Sequence, residues 1–231
     1  DAKHLSGAGG IPLAPGLTAM VSGDYLDGGG YRMIAAGNAG TVDHASEISS
    51  RNGTARLEYA PSQRLSAFLS GNFYNDNRDL GTALSHTNRD DRRLTFGADV
   101  DAEQLGTLTL RGWNGVMKED QFATAVAADR STERLTSWQH LPTHDWGASL
   151  QWARTGILGL QTLLAGADVR KISGNVEEAD YDATGAVSAN IQSGGSQLLS
   201  GTSVQGIIAP IDPLRIEIGG RYDHWGNDDG F

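Results

Sequence analysis

Between Asp91 and Trp113 the chain reads DRRLTFGADVDAEQLGTLTLRGW. Leu94, Phe96, Ala98 and Val100 alternate with Arg93, Thr95, Gly97, Asp99 and Asp101. After a short turn at Ala102–Gly106, Leu108 and Leu110 alternate with Thr107, Thr109 and Arg111. A period of two sends successive side chains to opposite faces of a sheet. The segment is therefore a hairpin with one apolar and one polar face. Few architectures can reuse such an element many times, and this chain does reuse it.

Leu17–Leu26 places Leu17, Ala19, Val21, Gly23 and Tyr25 on one face. Arg51–Ala60 sets Ala55, Leu57 and Tyr59 against Arg56 and Glu58. Leu65–Asn75 aligns Leu65, Ala67, Leu69, Gly71 and Phe73. Trp146, Ala148, Leu150 and Trp152 form the apolar face of a later strand. Leu214–Trp225 sets Leu214, Ile216, Ile218, Gly220 and Tyr222 against Arg215, Glu217, Gly219, Arg221 and Asp223. Ala2–Ile11 and Gln197–Ala209 complete the set with Leu160–Lys171, whose facing stays open because both parities carry apolar residues. The sequence thus predicts about ten strands in an up-and-down meander. Short turns are expected at Pro12, Pro61, Glu103, Gly156 and Ile211. Long polar loops are expected at 27–50, 75–90, 114–143 and 172–195.

Only 39% of the 231 residues are apolar, and glycine is frequent at 31. A soluble domain of this length needs strands buried on both faces or apolar helical stripes, and the sequence has few of either. The formal net charge of −10 excludes a nucleic-acid partner, because no basic patch could neutralise phosphates. Without cysteine there is neither a disulfide framework nor a thiolate metal site. No run of 18 apolar residues occurs, so no transmembrane helix is expected. A β-strand, however, crosses a bilayer with about 9–11 alternating residues.

Antiparallel strands with one apolar face, joined by alternately short and long connections, describe a transmembrane β-barrel. In hydrocarbon every backbone polar group must find a protein partner, so only a closed sheet suffices. The fold class expected is all-β, an antiparallel up-and-down barrel with apolar faces toward lipid and Arg56, Glu58, Arg93, Asp99, Arg111, Arg215, Glu217 and Arg221 toward a wet lumen. Tyr25, Phe73, Trp113, Trp146, Tyr222 and Trp225 are expected as an aromatic girdle at the loop-side strand ends, and Tyr59 and Trp152 at the turn side.

Three stretches carry a resemblance: LTAMVSGDYLDGGGYR (17–32), NGTARLEYAPSQRLSAFLSGNFYNDNRDLGT (52–82) and LRIEIGGRYDHWGNDDG (214–230). In this order, across nearly the whole chain, they resemble the barrel region of TonB-dependent outer-membrane receptors. The resemblance implies a 22-stranded barrel around a plug domain. It also implies energy-coupled import of a scarce ligand, such as a ferric siderophore, cobalamin, haem or a glycan. The implied partners are outer-membrane lipid, the TonB coupling complex reached through an N-terminal region, and a metal chelate or similar small ligand. The implied location is the outer membrane of a Gram-negative cell. Residues 1–231 are expected to be a partial barrel domain without plug or final strands, and Phe231, after GNDDG, is read as lying in a loop.

No enzyme is expected. There is no GxSxG elbow, Walker loop or HExxH motif, and neither catalytic, metal nor cofactor residues are assigned. His140 and His144 flank Leu141–Thr143 in a segment read as loop. Glu177–Asp182 is read as a solvated acidic loop, and Asn52-Gly53-Thr54 as a chance sequon. For ligand contact the candidates are Arg111 and Trp113, with His140 at the end of the Lys118–His140 loop. An anionic ferric chelate would be held by guanidinium and aromatic groups. Two alternatives stand beside the receptor: a small barrel hydrolase, for which His144 and Asp145 are the only catalytic pair on offer, and a passive porin or adhesin.

Overall fold

The computed structural model describes residues 2–231. Ten strands form one antiparallel sheet in sequence order. They are β1 (Ala2–Ala14), β2 (Leu17–Gly29), β3 (Glu47–Ser62), β4 (Leu65–Thr82), β5 (Ser85–Asp101), β6 (Thr107–Val126), β7 (Glu133–Ile157), β8 (Leu160–Tyr181), β9 (Val187–Ile211) and β10 (Leu214–Asp228). Among the described residues the only helical segment is a single 3-10 turn at Glu103–Leu105. No helix is long and apolar enough to cross a membrane.

The turns at one end of the sheet lie where the prolines and glycines put them, within three residues of expectation. They are Pro15–Gly16, Gln63–Arg64, Ala102–Gly106, Leu158–Gly159 and Asp212–Pro213. Gly16 sits at φ +74° and Gly106 at +92°, backbone that glycine adopts without steric strain.

The other end corrects the loop expectations. Of the four long loops, only the first remains a loop, over 30–46. Residues 75–90 are the paired ends of β4 and β5 around a two-residue turn, Ala83–Leu84. Residues 114–143 belong to β6 and β7 apart from the turn at 127–132, and 172–195 to β8 and β9 apart from 182–186. The cause is the disappearance of the patterning force. About ten residues cross a bilayer, whereas β7 has 25. Beyond the membrane both faces of a strand are wet, so alternation is no longer enforced. The backbone ladder still satisfies every N–H and C=O and extends the ribbon outward.

The register settles the facing. One row across the sheet runs Ile11–Ala19–Leu57–Leu69–Phe96–Gly112–Ala148–Val169–Ser200–His224. All the apolar sets named above fall on this face. The ambiguous strand resolves with them: Leu163, Ala165, Ala167 and Val169 of β8 share the face, while Asp168 and Arg170 take the other. Among the described residues Ala179 is the only buried apolar residue, and the largest fully buried side chain is Asp76. Leu94, Phe96, Leu150 and Ile218 are 40–69% exposed. A sheet with no apolar core and an apolar exterior is inside-out for water and correct for lipid.

Glycine accounts for the close fit of the aromatics. The Phe96 ring lies over Gly112 and the Phe73 ring over Gly53 on the outward face, while Phe68 covers Gly97 and Trp113 covers Gly147 on the inward face. Each ring covers a neighbouring strand that has no side chain there.

Candidate functional site

The inward face is a lattice of arginines held by carboxylates. Arg111, on β6, sends Nη2 to both oxygens of Asp99 on β5, at 2.9 and 2.8 Å. Its Nη1 donates to the carbonyls of Ala98 and Leu110. Thr109 donates to the same Asp99 at 2.9 Å. The Phe68 ring lies between two guanidiniums, with Arg56 at 3.9 Å and Arg111 at 5.7 Å from its centroid. Arg56 pairs with Glu58, Arg170 and Arg93 both approach Asp145, and Arg221 bridges Asp168 and Asp223. These groups are partly solvated, so each pair adds little stability, about 0–1 kcal/mol. Together they make a polar wall of nearly balanced charge.

Nearby on the same face Asn72 donates to Asn52, Gly53 and Thr54, and Asn52 donates to Asp24. Asn52 is therefore committed within a strand, in keeping with the chance reading of its sequon.

The three ligand candidates separate. Arg111 and Trp113 are two apart on β6 and share the inward face. Both terminal nitrogens of Arg111 are occupied by Asp99 and two carbonyls. Trp113 pairs with Thr95 and Gly147 in mid-strand, and its indole N–H is buried without a hydrogen-bond partner. It is not the rim residue expected from a girdle, and Trp225, opposite Leu199, also faces inward. His140 sits on the outward parity, opposite Asp120, seven residues and roughly 23 Å further up the ribbon than Trp113. Its Nδ1 lies 2.9 Å from Asp120, which also accepts from Trp138 Nε1. It belongs to a strand, not a loop, and takes no part in the inward wall.

Other pairings fail on parity. His144 and Asp145 are adjacent on β7 and point to opposite faces: His144 contacts Asn114 at 2.9 Å, and Asp145 is bound by Arg170. They cannot act as one acid–base unit. His140 and His144 share a face but stand about 13 Å apart along an extended strand, too far for one metal. No group of three metal-ligating side chains occurs among the described residues. Glu177–Asp182 is mostly strand; Asp182 caps its turn by accepting from Thr184 and Ala186.

Above the wall the 30–46 loop is fastened to the β6–β7 turn. Arg130 grips Asp43 through Nε and Nη2 at 2.6 and 2.5 Å, and Gly40 N–H donates to the same carboxylate at 2.8 Å. The Asp43 side chain is only 2% exposed. The Arg130 hydrogen bonds, followed by the Gly40 N–H, lower its pKa from 3.8 to about 2. A depressed carboxylate stabilises its contact above the ordinary value and loses that contribution as pH falls through the depressed one. The loop is therefore expected to stay docked at pH 5 and to loosen only as pH drops from 3.8 toward about 2. Arg130→Ala should give the loosened state at neutral pH. Hydrogen exchange or limited proteolysis over 30–46 reads both.

No protein-family model matches the chain, and no characterised protein matches it by sequence. Solved structures do match by shape. The ferripyoverdine receptor FpvA of Pseudomonas aeruginosa, bound to heterologous pyoverdines, aligns over 100% of this chain and 36% of its own, with a TM-score of 0.73 and 10% identity. The ferric enterobactin receptor PfeA of the same organism aligns over 98% of this chain and 38% of its own, with a TM-score of 0.68 and 12% identity. The siderophore receptor PirA of Acinetobacter baumannii gives 98%, 37%, 0.61 and 11%. The chain thus spans little more than a third of each receptor. A lipid-type exterior, a charge-paired interior and these three superpositions lead to one structural conclusion: the chain has the fold of the barrel wall of TonB-dependent outer-membrane receptors.

Proposed function

We propose that this chain forms part of an outer-membrane receptor that takes up a scarce ligand, with a ferric siderophore as the leading class. The observation that carries the reading is the inward wall, where partly solvated arginines paired with carboxylates line a face that lipid does not reach. The likeness to siderophore receptors supports it. Among the described residues both sheet edges lack partners, since β1 pairs only with β2 and β10 only with β9. Unpaired edges are not tolerated in hydrocarbon. The ten strands accordingly belong to a larger wall, completed by further strands and a plug in the parent protein, with energy supplied through a TonB-type coupling segment. Passage itself would be a property of that whole assembly.

Trp113 is the side chain assigned to ligand contact; its indole N–H is buried over Gly147, so a ligand reaches it as the ring moves off that seat. The test uses the intact receptor in iron-starved cells supplied with a panel of radiolabelled ferric chelates. Uptake of at least one chelate is expected, and Trp113→Phe should weaken its binding by about tenfold, the loss of one hydrogen bond to a charged group. Absence of any chelate uptake, with haem or cobalamin accumulating instead, would replace the ligand class. Accumulation of none would leave a passive pore.

A further inference from the structure

The chain has only three lysines, Lys3, Lys118 and Lys171, against fifteen arginines. All three lysines take the outward parity, the face that carries the apolar band. None forms an ion pair among the described residues. Most inward arginines behave oppositely: Arg56, Arg93, Arg111, Arg170 and Arg221 are each tied to a carboxylate. We propose that these lysines, with Arg51 and Arg92, form a belt that binds the phosphate groups of lipids in the leaflet surrounding the outer end of the barrel.

Height is the decisive observation. Along the row through Ile11, Leu57, Phe96, Gly112, Ala148 and Val169, Lys3 stands eight residues above Ile11. Arg51 stands six above Leu57, Arg92 four above Phe96 and Lys118 six above Gly112. His144 stands four above Ala148, and Lys171 two above Val169. From β1 to β8 the offset falls by six residues, about 20 Å, across seven strand spacings, about 34 Å. That is an incline of about 30° to the row. Strands of outer-membrane barrels tilt by about 35–45°. A line descending across the strands at nearly this angle is level with the membrane once the strands are tilted. The cations therefore share one height.

The neighbouring chemistry is layered at the same incline. Tyr25 stands six above Ala19, Phe73 four above Leu69 and Trp146 two above Ala148, while Tyr222 lies two below His224. This aromatic line runs just beneath the cations, where rings mark the edge of the hydrocarbon. The Arg51 guanidinium sits 5.8 Å from the Tyr25 ring centroid, joining the two layers. The outward acids Asp90, Asp120 and Glu177 stand higher, whereas Asp27 lies directly opposite Lys3 across the β1–β2 pair. Only Arg92 is shared with one of them, Asp90, at 3.0 Å. From β5 to β8 the surface in ascending order is apolar, aromatic, cationic and acidic, which matches acyl chains, interface, phosphates and water.

The surface at this height is also dimpled. A shallow hollow of about 480 Å³ is lined by Val116, Lys118, Pro142, His144 and Lys171 among others. It adjoins a second, of about 430 Å³, that includes Arg92 and shares Val116 and Lys118. An apolar floor beneath free ammonium groups suits a phosphorylated sugar or glycerol headgroup whose chains run down the apolar band. Lysine suits this position because its flexible stem lies along apolar surface while its charge reaches the headgroup level.

The inference rests on the outward face meeting lipid, and its test reads lipid rather than transport, so it stands or falls separately from the ligand class. The intact receptor is purified in neutral detergent and titrated with bisphosphorylated lipid A, its dephosphorylated form and inorganic phosphate, with retention read by native mass spectrometry. Retention of the phosphorylated lipid is expected, with little of the other two. The triple variant Arg51→Gln, Lys118→Gln, Lys171→Gln should lower it by about 100-fold, at about fivefold per cation. Arg154→Gln, on the same face at the turn end, should leave it unchanged. Heat-dependent gel mobility verifies that each variant is folded. Equal retention of the dephosphorylated lipid, or wild-type retention by the triple variant, would overturn the proposal. Binding of inorganic phosphate with equal strength would show an anion site that does not depend on lipid, and would overturn it as well.

Discussion

Phe96→Arg is expected to destabilise the barrel by about 2–4 kcal/mol, whereas Thr95→Arg, one residue away, should cost about 1 kcal/mol or less. Phe96 is outward and 40% exposed, and its ring covers Gly112. On β5 the apolar set runs from Val100 to Leu94 and ends at Arg92, which places Phe96 near the bilayer midplane. An arginine there must either shed its hydration or deform the bilayer. Thr95 lies between Ser70 and Trp113 on the inward face, where water and the nearby carboxylates can accommodate another guanidinium. Denaturant titration of the intact barrel in vesicles measures both. The reverse order, with position 96 tolerant and position 95 intolerant, would mean that the sheet faces the other way.

The same comparison shows what kind of force makes a fold legible. Below the cation belt, lipid on one side and water on the other impose a period of two. Leu94 to Val100 and Leu214 to Tyr222 could be assigned from residues alone. Above the belt no such asymmetry exists. Asp76, Asp120 and His140 lie in ordered ribbon, yet their side chains carry no periodic signal, and the segments containing them resemble loops. The position of His140 was nonetheless within reach. Trp146, Ala148 and Leu150 fix the outward parity of β7 as even, and an unbroken strand carries that parity to His140. Only the assumption of a loop after Trp113 hid it. β8 was ambiguous for a different reason: Leu164 and Ile172 are inward apolar residues, tolerated because a wet lumen penalises them less than lipid penalises a charge. Trp113 was legible in its facing but not in its setting, because the glycine that receives it, Gly147, is 34 residues away and meets it only through the β6–β7 register.

That register makes Gly147→Leu the second change with a large expected effect. A Cβ at this position would lie 2.5 Å from Trp113 Cζ2 and 2.8 Å from the Val169 carbonyl oxygen. The ring can swing away but the backbone oxygen cannot, so the strand pair β7–β8 must shift as well. Forced repacking of this kind costs about 1–3 kcal/mol. Gly147→Ala should fall in the lower part of the range, since it brings the same clash without a longer side chain. Two measurements separate the ring from the backbone. In the double variant Gly147→Ala, Trp113→Ala the ring is gone, so the combined loss should be smaller than the sum of the single losses by about 1 kcal/mol, the coupling expected of touching residues. Whatever remains belongs to the Val169 carbonyl. In Gly147→Ala alone, emission assigned to Trp113 by difference against Trp113→Phe should shift to longer wavelength as the indole leaves its buried seat for the lumen. A fully additive cycle with unshifted emission would mean that Trp113 does not rest on Gly147, and the placement of its indole on the inward wall would fail with it.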